Sequence, residues 1–158
     1  MIVDTTTTPR SEELRFICER LSESERDQYE ALGFGTFDPE ALAALLLAKE
    51  GPKLLMRVDG VPVACGGYDS VGVGVMQSWM VGTVDGWASY GRVITRETRR
   101  FMRVLLGVEG IRRLQTMCLA ERAEARRWYE AIGLDFEGTL RGFARDGRDC
   151  VLYARVEV

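Results

Sequence analysis

Two turn-forming dipeptides constrain the fold of this 158-residue chain more than any other feature of its sequence. Asp59-Gly60 and Asp146-Gly147 each lie between two runs rich in apolar and β-branched residues. An Asp-Gly pair supplies the positive φ values of a two-residue hairpin turn, so each one predicts a pair of antiparallel strands. The four flanking runs are residues 53–58, 61–68, 134–143 and 149–156.

The segment between the two hairpins predicts a strand, a helix and a second strand. Residues 75–81 and 113–119 have the composition of strands, and the segment 82–91 is typical of a loop. Apolar side chains at helical spacing then predict a long helix that ends at Leu106. Because a helix joins the two strands, they are expected to form one parallel pair in an otherwise antiparallel sheet. A further helix is predicted over 121–132.

Three helices are predicted before the first hairpin. Apolar residues at helical spacing indicate a helix over 10–22. Ser22 and Glu25 form a capping-box pattern that starts a second helix, which stops at Gly33. Asp38-Pro39 suits the cap and first position of a third helix. The sequence therefore predicts a single α/β domain of the α+β type, with helices flanking a mixed, mostly antiparallel sheet.

The composition excludes several classes of site. The chain has no histidine, which rules out Ser-His-Asp and Cys-His nucleophilic sites and any histidine-ligated zinc. A net charge of −3 argues against nucleic acid as the main partner. No apolar run approaches the roughly 20 residues that span a membrane, and no secretory signal is present, so we expect a cytoplasmic protein of a cell or an infected host. The four cysteines are widely spaced, which favours reduced, buried thiols over a metal or disulfide role.

The last third of the chain carries the most specific motif. The segment 122–134 resembles the N-x-x-A-x-x-hydrophobic-Y-E-x-hydrophobic-G-F pattern of the GNAT superfamily of N-acetyltransferases, whose order of helices and strands is also similar. Arginine stands in place of the asparagine, and leucine in place of the phenylalanine. The matching positions are Arg122, Ala125, Trp128, Tyr129, Glu130, Ile132, Gly133 and Leu134.

This resemblance implies a single GNAT-like acyltransferase domain over residues 1–158. It implies acetyl-CoA as the acyl donor and a small-molecule or protein amine as the acceptor. It also implies that Tyr129 is the general acid that protonates the leaving thiolate. The residues alone fit a packing role for Tyr129 equally well, with its hydroxyl in water.

The family holds the pyrophosphate of CoA in a Q/R-x-x-G-x-G/A loop before the long helix. Here Gly86 and Gly91 are five residues apart, and no arginine or glutamine precedes them at the family's offset. A loop and helix cap without a ligand is therefore the alternative to cofactor binding. The resemblance places the cofactor contacts at Val81, Thr83, Ser89, Gly91 and Arg92.

A general base is harder to identify in the sequence. The family often uses an acidic residue on the central strands, but residues 77–80 contain no carboxylate. Asp69, Glu30 and Asp27 remain as remote candidates. Arginines crowd two of the predicted helices, and we expect them to form solvated faces. The alternative is that one of them contacts the adenosine phosphate of CoA.

The chain also resembles a narrower group, the small GNAT-like proteins of tailed bacteriophages similar to internal virion protein A. The resemblance lies in the early helices and in residues 79–83 at the centre of the sheet. It implies an alternative function, in which a catalytically degenerate GNAT fold serves as a virion or assembly protein through contacts with other virion proteins.

Overall fold

Seven strands and five helices form the fold in the computed structural model, which describes residues 1–157 apart from the side chain of Phe34. The strands are β1 (Val3–Thr6), β2 (Lys53–Val58), β3 (Val61–Gly72), β4 (Val75–Gly82), β5 (Arg113–Leu119), β6 (Asp135–Leu140) and β7 (Cys150–Val156). The helices are α1 (Ser11–Cys18), α2 (Glu23–Tyr29), α3 (Pro39–Ala48), α4 (Val84–Leu106) and α5 (Ala123–Ala131). A π-helical turn, Glu30–Phe34, extends α2.

The strands lie in one mixed sheet in the order β1-β2-β3-β4-β5-β7-β6. The antiparallel pairing of both predicted hairpins is confirmed, because β2 pairs with β3 and β6 pairs with β7. The predicted two-residue turn at Asp146-Gly147 is wrong, because β6 ends at Leu140, β7 begins at Cys150, and Asp146 does not have the positive φ of such a turn. In the first turn Asp59 has a φ of 50° and Gly60 a φ of 81°, the left-handed values that this turn requires. β4 and β5 form the predicted parallel pair. The predicted fold class, an α/β domain with a mostly antiparallel sheet, is therefore confirmed.

Alternating residues of the central strands face two different hydrophobic cores. Leu55 and Cys65 pack with α1 and α3 on one face of the sheet, and Tyr29 of α2 joins this core. Their chain neighbours Met56 and Ala64 point to the other face of the sheet and pack with α4 there. α5 shares a core with α4. The first three helices therefore cover one face, and the last two cover the other.

β4 and β5 are paired only where they begin. Backbone pairing joins Val75–Gln77 to Arg113–Gln115 and then stops. β4 continues along β3 as far as Gly82, and β5 continues along β7 as far as Leu119. Because each strand follows a different neighbour, the two diverge toward their carboxyl ends and leave an opening in the sheet.

The prediction of a loop over 82–91 is wrong, because α4 already begins at Val84. Thr83 caps this helix, and its hydroxyl accepts a hydrogen bond from the Gly86 amide at 2.8 Å. Gly86 is required for close packing, since a Cβ there would lie 2.7 Å from a backbone oxygen of β3. The helix is irregular at Tyr90, where φ is −130°, close to the predicted start of the long helix.

The cysteines are buried within the cores, as predicted, and all four are free thiols. Burial raises the pKa of Cys118 to about 11, so this thiol stays protonated at neutral pH. Among residues 1–157, no helix combines the length and apolar character needed to cross a membrane. The same residues contain no group of three or more acidic or cysteine side chains placed to hold a metal ion.

Candidate functional site

The opening between β4 and β5 is part of a cleft of about 850 Å³ that is lined from both faces of the sheet. Tyr29 of α2 and Leu46 of α3 belong to the lining on one face. Phe101 of α4 and Tyr129 of α5 belong to the lining on the other face. A cleft of this shape allows two molecules to meet from opposite sides of one sheet.

Two tyrosines contact the strand edges that the opening leaves unpaired. From the α5 side, Tyr129 donates its hydroxyl hydrogen to the Met117 carbonyl oxygen of β5 at 3.2 Å. From the α2 side, Tyr29 donates to the Met80 carbonyl oxygen of β4 at 3.5 Å. Each edge of the opening is therefore contacted by a phenol from a different face.

Arg122, which replaces the asparagine of the family pattern, connects α5 to α2. Its Nη1 donates to Gln28 Oε1 at 2.8 Å, and its Nε donates to Ser24 Oγ at 2.8 Å. The same Gln28 oxygen accepts a hydrogen bond from the Leu119 amide at the end of β5, at 3.1 Å. The arginine that replaces the family's asparagine is therefore held by hydrogen bonds to α2.

The predicted general acid, Tyr129, lies in the wall of the cleft and is 8% exposed. Burial raises the pKa of Tyr129 above its ordinary value of 10.0, and the neighbouring Cys118 adds to this effect. The phenol is therefore protonated at neutral pH. Its ring also packs against Tyr153 and Trp128, at centroid distances of 5.4 and 6.1 Å. The packing interpretation fits the ring, but its expectation of a hydroxyl in water is wrong, because the hydroxyl is buried and bonds to the Met117 carbonyl oxygen. The catalytic role stays a prediction.

Three polar atoms in the cleft lining are buried without a hydrogen-bond partner among the described residues. A buried polar group left in this state costs about 1–3 kcal/mol. In native structures such groups are usually explained by a bound water, ion or ligand. Their concentration in one cleft indicates a site for a polar molecule. The atoms are Glu25 Oε2, Trp79 Nε1 and Thr98 Oγ1.

Glu25 is a candidate functional residue that sequence reasoning missed. Ser22 caps α2 as predicted, accepting a hydrogen bond from the Glu25 amide at 3.1 Å. The Glu25 side chain, however, accepts a hydrogen bond from Trp87, with Nε1 2.9 Å from Oε1. Burial raises the pKa of Glu25 to about 7, although Arg122 and the Trp87 hydrogen bond both act to lower it. The sequence gives no signal that pairs two residues 62 positions apart.

Trp87 lies against the carboxyl end of β4. A Cβ at Gly82 would lie 2.5 Å from Trp87 Nε1, so the indole approaches the strand this closely only because the residue is glycine. Trp128 of α5 packs edge-on against Trp87 at a centroid distance of 5.1 Å. Trp128 in turn donates a hydrogen bond to Thr95 of α4 at 3.0 Å. The two indoles form the part of the cleft wall where α4 meets α5.

Most of the first amides of α4 already have partners. The Val84 amide donates to a carbonyl just beyond α1 at 2.9 Å, and the Trp87 amide donates to the Thr83 carbonyl at 3.0 Å. The Gly86 amide is bound by the Thr83 hydroxyl, as described above. Of the predicted cofactor residues, Thr83 forms this cap, and the side chain of Val81 lies in the core with α1 and α3.

A second, shallower groove of about 610 Å³ runs along α4 and includes the predicted residues Gly91 and Arg92. Four of its six lining residues are arginines, and none is acidic. Ser89 is exposed and precedes this groove along the chain. The structure therefore separates Tyr129, in the cleft, from the predicted phosphate contacts on α4. The other lining residues are Thr95, Arg96, Arg99 and Arg103.

The carboxylates considered as bases from the sequence have other partners. Asp69 lines the cleft, but it forms an ion pair with Lys49 at 2.5 Å. Glu30 accepts a hydrogen bond from a backbone amide in the turn before α3, at 3.0 Å. Asp27 forms an ion pair with Arg148 at 2.8 Å.

Sequence comparison finds no matching family model and no matching curated protein. The fold is similar to that of ribosomal-protein-alanine N-acetyltransferase from Brucella melitensis, with a TM-score of 0.73 and 14% identity, covering 99% of this chain and 100% of that chain. An N-acetyltransferase from Staphylococcus aureus gives a TM-score of 0.71 and 13% identity, covering 99% of each chain.

The GNAT domain of PAT from S. lividans is also similar, with a TM-score of 0.70 and 17% identity, covering 98% of this chain and 89% of that domain. At these identities the comparisons bear on the fold alone. Together with the sheet order and the opening between β4 and β5, they show that this chain has a GNAT-like α/β fold.

Proposed function

We propose that this chain is an N-acyltransferase that transfers acetyl from acetyl-CoA to the amine of a small molecule or a protein. The observation that carries the proposal is the Tyr129 hydroxyl at the opening between β4 and β5, within a cleft lined from both faces. The similar structures are described as acetyltransferases, which supports the same reaction class.

The reaction would take place at the opening in the sheet. The amine nitrogen attacks the thioester carbon, the carbon–sulfur bond breaks, and negative charge develops on sulfur. Tyr129 donates a hydrogen bond to this sulfur, and its raised pKa ensures that it carries the proton to do so. A positioned acid of this kind contributes about 10²- to 10⁴-fold to the rate.

The phosphates of CoA would be bound along α4. Arginine is suited to bidentate contacts with phosphate, and Arg92 lies in the arginine-lined groove with Gly91. Ser89 is exposed just before these residues and is proposed as a further contact. Of the other predicted contacts, Val81 and Thr83 are buried, and the Thr83 amide and carbonyl oxygen already bond to Val63 and Trp87. We therefore assign the phosphates to Ser89, Gly91 and Arg92.

Replacing Tyr129 by phenylalanine tests the proposal directly. The variant keeps the ring packing and loses only the hydroxyl, so turnover of acetyl-CoA should fall about 10²- to 10⁴-fold. The affinity for CoA, measured by calorimetry, should stay nearly unchanged. Tyr90→Phe is the matched control, since Tyr90 is not among the cleft-lining residues. Full turnover by the Tyr129 variant would refute the assigned role.

Binding should be measured before turnover. Acetyl-CoA, desulfo-CoA and ATP are titrated into the purified protein by calorimetry. Micromolar binding that requires the pantetheine arm supports the proposal. No heat at millimolar CoA contradicts it.

A second candidate function follows from the occupied amides of α4. Because the amides of Val84, Gly86 and Trp87 are satisfied within the chain, these three are not free to bind a pyrophosphate. A GNAT fold without catalysis, acting through protein contacts, would have no need to bind one. The more specific idea of a phage virion or assembly protein rests on the sequence resemblance alone. Recovery in a stoichiometric particle with virion proteins and without CoA would support it.

A further inference from the structure

One acidic side chain in the cleft lining has a carboxylate oxygen that is buried without a hydrogen-bond partner among the described residues. Of the three acidic residues in its lining, Asp69 is paired with Lys49. Glu124 accepts hydrogen bonds from Ser24 at 2.7 Å and from an arginine at 3.3 Å. Glu25 has one oxygen bonded to an indole, while Oε2 is buried without a partner among the described residues.

We propose that Glu25 is the general base of the acyl transfer and that its Oε2 removes a proton from the incoming amine. This inference rests on the proposed function, and it names a residue that neither the sequence motif nor the similar structures assign. It supplies the base that the β4 segment 77–80 lacks.

The surroundings of Glu25 hold the carboxylate in one place. Ser22 fixes the start of α2 through the Glu25 amide, at 3.1 Å. Trp87 binds Oε1 at 2.9 Å, and the indole is itself held against Gly82 and Trp128. Because the hydrogen bond to Oε1 fixes the carboxylate in one rotamer, little conformational entropy is lost when Oε2 meets the substrate.

The charges around Glu25 suit a base that works near neutral pH. Burial is the main effect on its carboxyl group, and Arg122 limits how far that effect goes. Burial is the main cause of the raised pKa of the Tyr29 phenol, and the nearby Glu25 and Tyr129 raise it further. The polar and charged neighbours of Glu25 are thus Tyr29, Cys18, Arg122, Trp87 and the Gly82 backbone, and Glu124 on α5 is the like charge.

The proton balance of the reaction is complete with these groups. An alkylammonium loses one proton to Glu25, and the neutral nitrogen forms its bond to the thioester carbon. The nitrogen of the resulting adduct loses a second proton as the carbon–sulfur bond breaks. Tyr129 gives its proton to the sulfur and regains one from the adduct nitrogen through solvent, while the proton on Glu25 leaves for solvent. The net products are the amide, the thiol of CoA and one released proton.

The neighbouring walls indicate the class of acceptor. On the side of the sheet covered by α3, the cleft is lined by Leu42, Leu46 and the indole of Trp79. A carboxylate next to an apolar wall suits a primary alkylamine with an apolar stem. Such an amine is cationic in solution and must be deprotonated before it can attack.

The experiment compares the parent protein with Glu25→Gln, using acetyl-CoA and two acceptors, an alkylamine and aniline. The alkylamine is protonated at neutral pH, whereas aniline is already neutral. For the alkylamine we expect kcat/KM to fall about 10²-fold or more in the variant, and the rise of the parent's rate with pH through about 7 to disappear. For aniline the loss should be much smaller, because no ammonium must be deprotonated.

Two further measurements keep the test decisive. Glu23→Gln changes the same charge on an exposed residue of the same helical turn and should leave both rates unchanged. The fluorescence of Trp87 should titrate with a midpoint near 7 in the parent and not in Glu25→Gln, without any substrate present. Trp87→Phe identifies the source of that signal.

The possible failures are distinguishable. Equal losses for both amines would show that Glu25 does not deprotonate the incoming ammonium, and so would overturn the role proposed for it. Unchanged transfer to the alkylamine in Glu25→Gln would do the same while leaving the proposed function intact. No transfer by the parent protein to either amine would overturn the proposed function, and the base with it.

Discussion

Glutamine at position 25 should make the protein more stable than the parent above neutral pH. The folded-state pKa of Glu25 is about 7, compared with 4.5 for an unperturbed glutamate. Between these two values the folded chain keeps a proton that the unfolded chain has lost, so the free energy of unfolding falls as pH rises. Glutamine carries no ionisable proton, and its stability should not show this fall.

The size of the effect follows from the two pKa values. A difference from 4.5 to about 7, at 1.36 kcal/mol for each unit, corresponds to about 3 kcal/mol. Glu25 is 8% exposed, so little of this is lost to solvent screening. The chain contains no histidine, and few other groups titrate in the same window.

Urea unfolding of both proteins at several pH values between about 5 and 8 is the assay. The stability difference, variant minus parent, should grow by about 2.5 kcal/mol between pH 5 and pH 8, because part of the effect is already present at pH 5. The Glu23→Gln variant, altered at an exposed residue in the same turn, should follow the parent at every pH. A difference that stays constant across this range would refute the raised pKa and the burial argument behind it.

Two further predictions concern other charged groups. Arg57→Met removes the partner of the buried Glu13, 2.6 Å away, and should destabilise the protein by about 3 kcal/mol at pH 7. Burial alone would raise the pKa of Glu13, but Arg57 and the hydrogen bonds from Arg10 lower it to about 2, so the stabilisation is complete above 4.5 and is lost as pH falls toward 2. Urea unfolding at pH 7 and pH 3 should therefore show a smaller effect of the substitution in acid. Arg92→Ala should weaken CoA binding about tenfold in calorimetry, the loss of roughly one charge-assisted hydrogen bond. Arg141→Ala is its exposed control, and equal affinities for both variants would remove the α4 groove from the proposal.

The sequence was sufficient for the features that depend on local chemistry. Asp59-Gly60 predicted the first hairpin because few other dipeptides adopt two left-handed φ values without cost. Asp38 caps α3 by accepting from the Glu40 amide at 3.0 Å, as its position before proline indicated. Tyr129 was selected by its place in the family pattern rather than by local chemistry, and its catalytic role stays a prediction.

The failures have a common cause, which is that a residue's neighbours in space can outweigh its neighbours in sequence. Gly82 and Gly86 are typical of a loop by residue type, but glycine is needed at both positions because an indole and β3 lie too close for a Cβ atom. Glu25 fits a capping box locally, yet its side chain binds Trp87. Neither contact leaves a periodicity or spacing from which it could be predicted.

The opening between β4 and β5 also divides the sheet mechanically. Four strands lie on one side of the opening and three on the other, and the β4–β5 ladder that joins the two groups is three residue pairs long. Elsewhere across this seam the two halves are held by side chains, such as Gln28 and Arg122. A molecule bound in the cleft would contact both halves of the sheet and would therefore help to hold them together. The protein's resistance to being pulled apart along this seam would then depend on ligand concentration as well as on its own contacts.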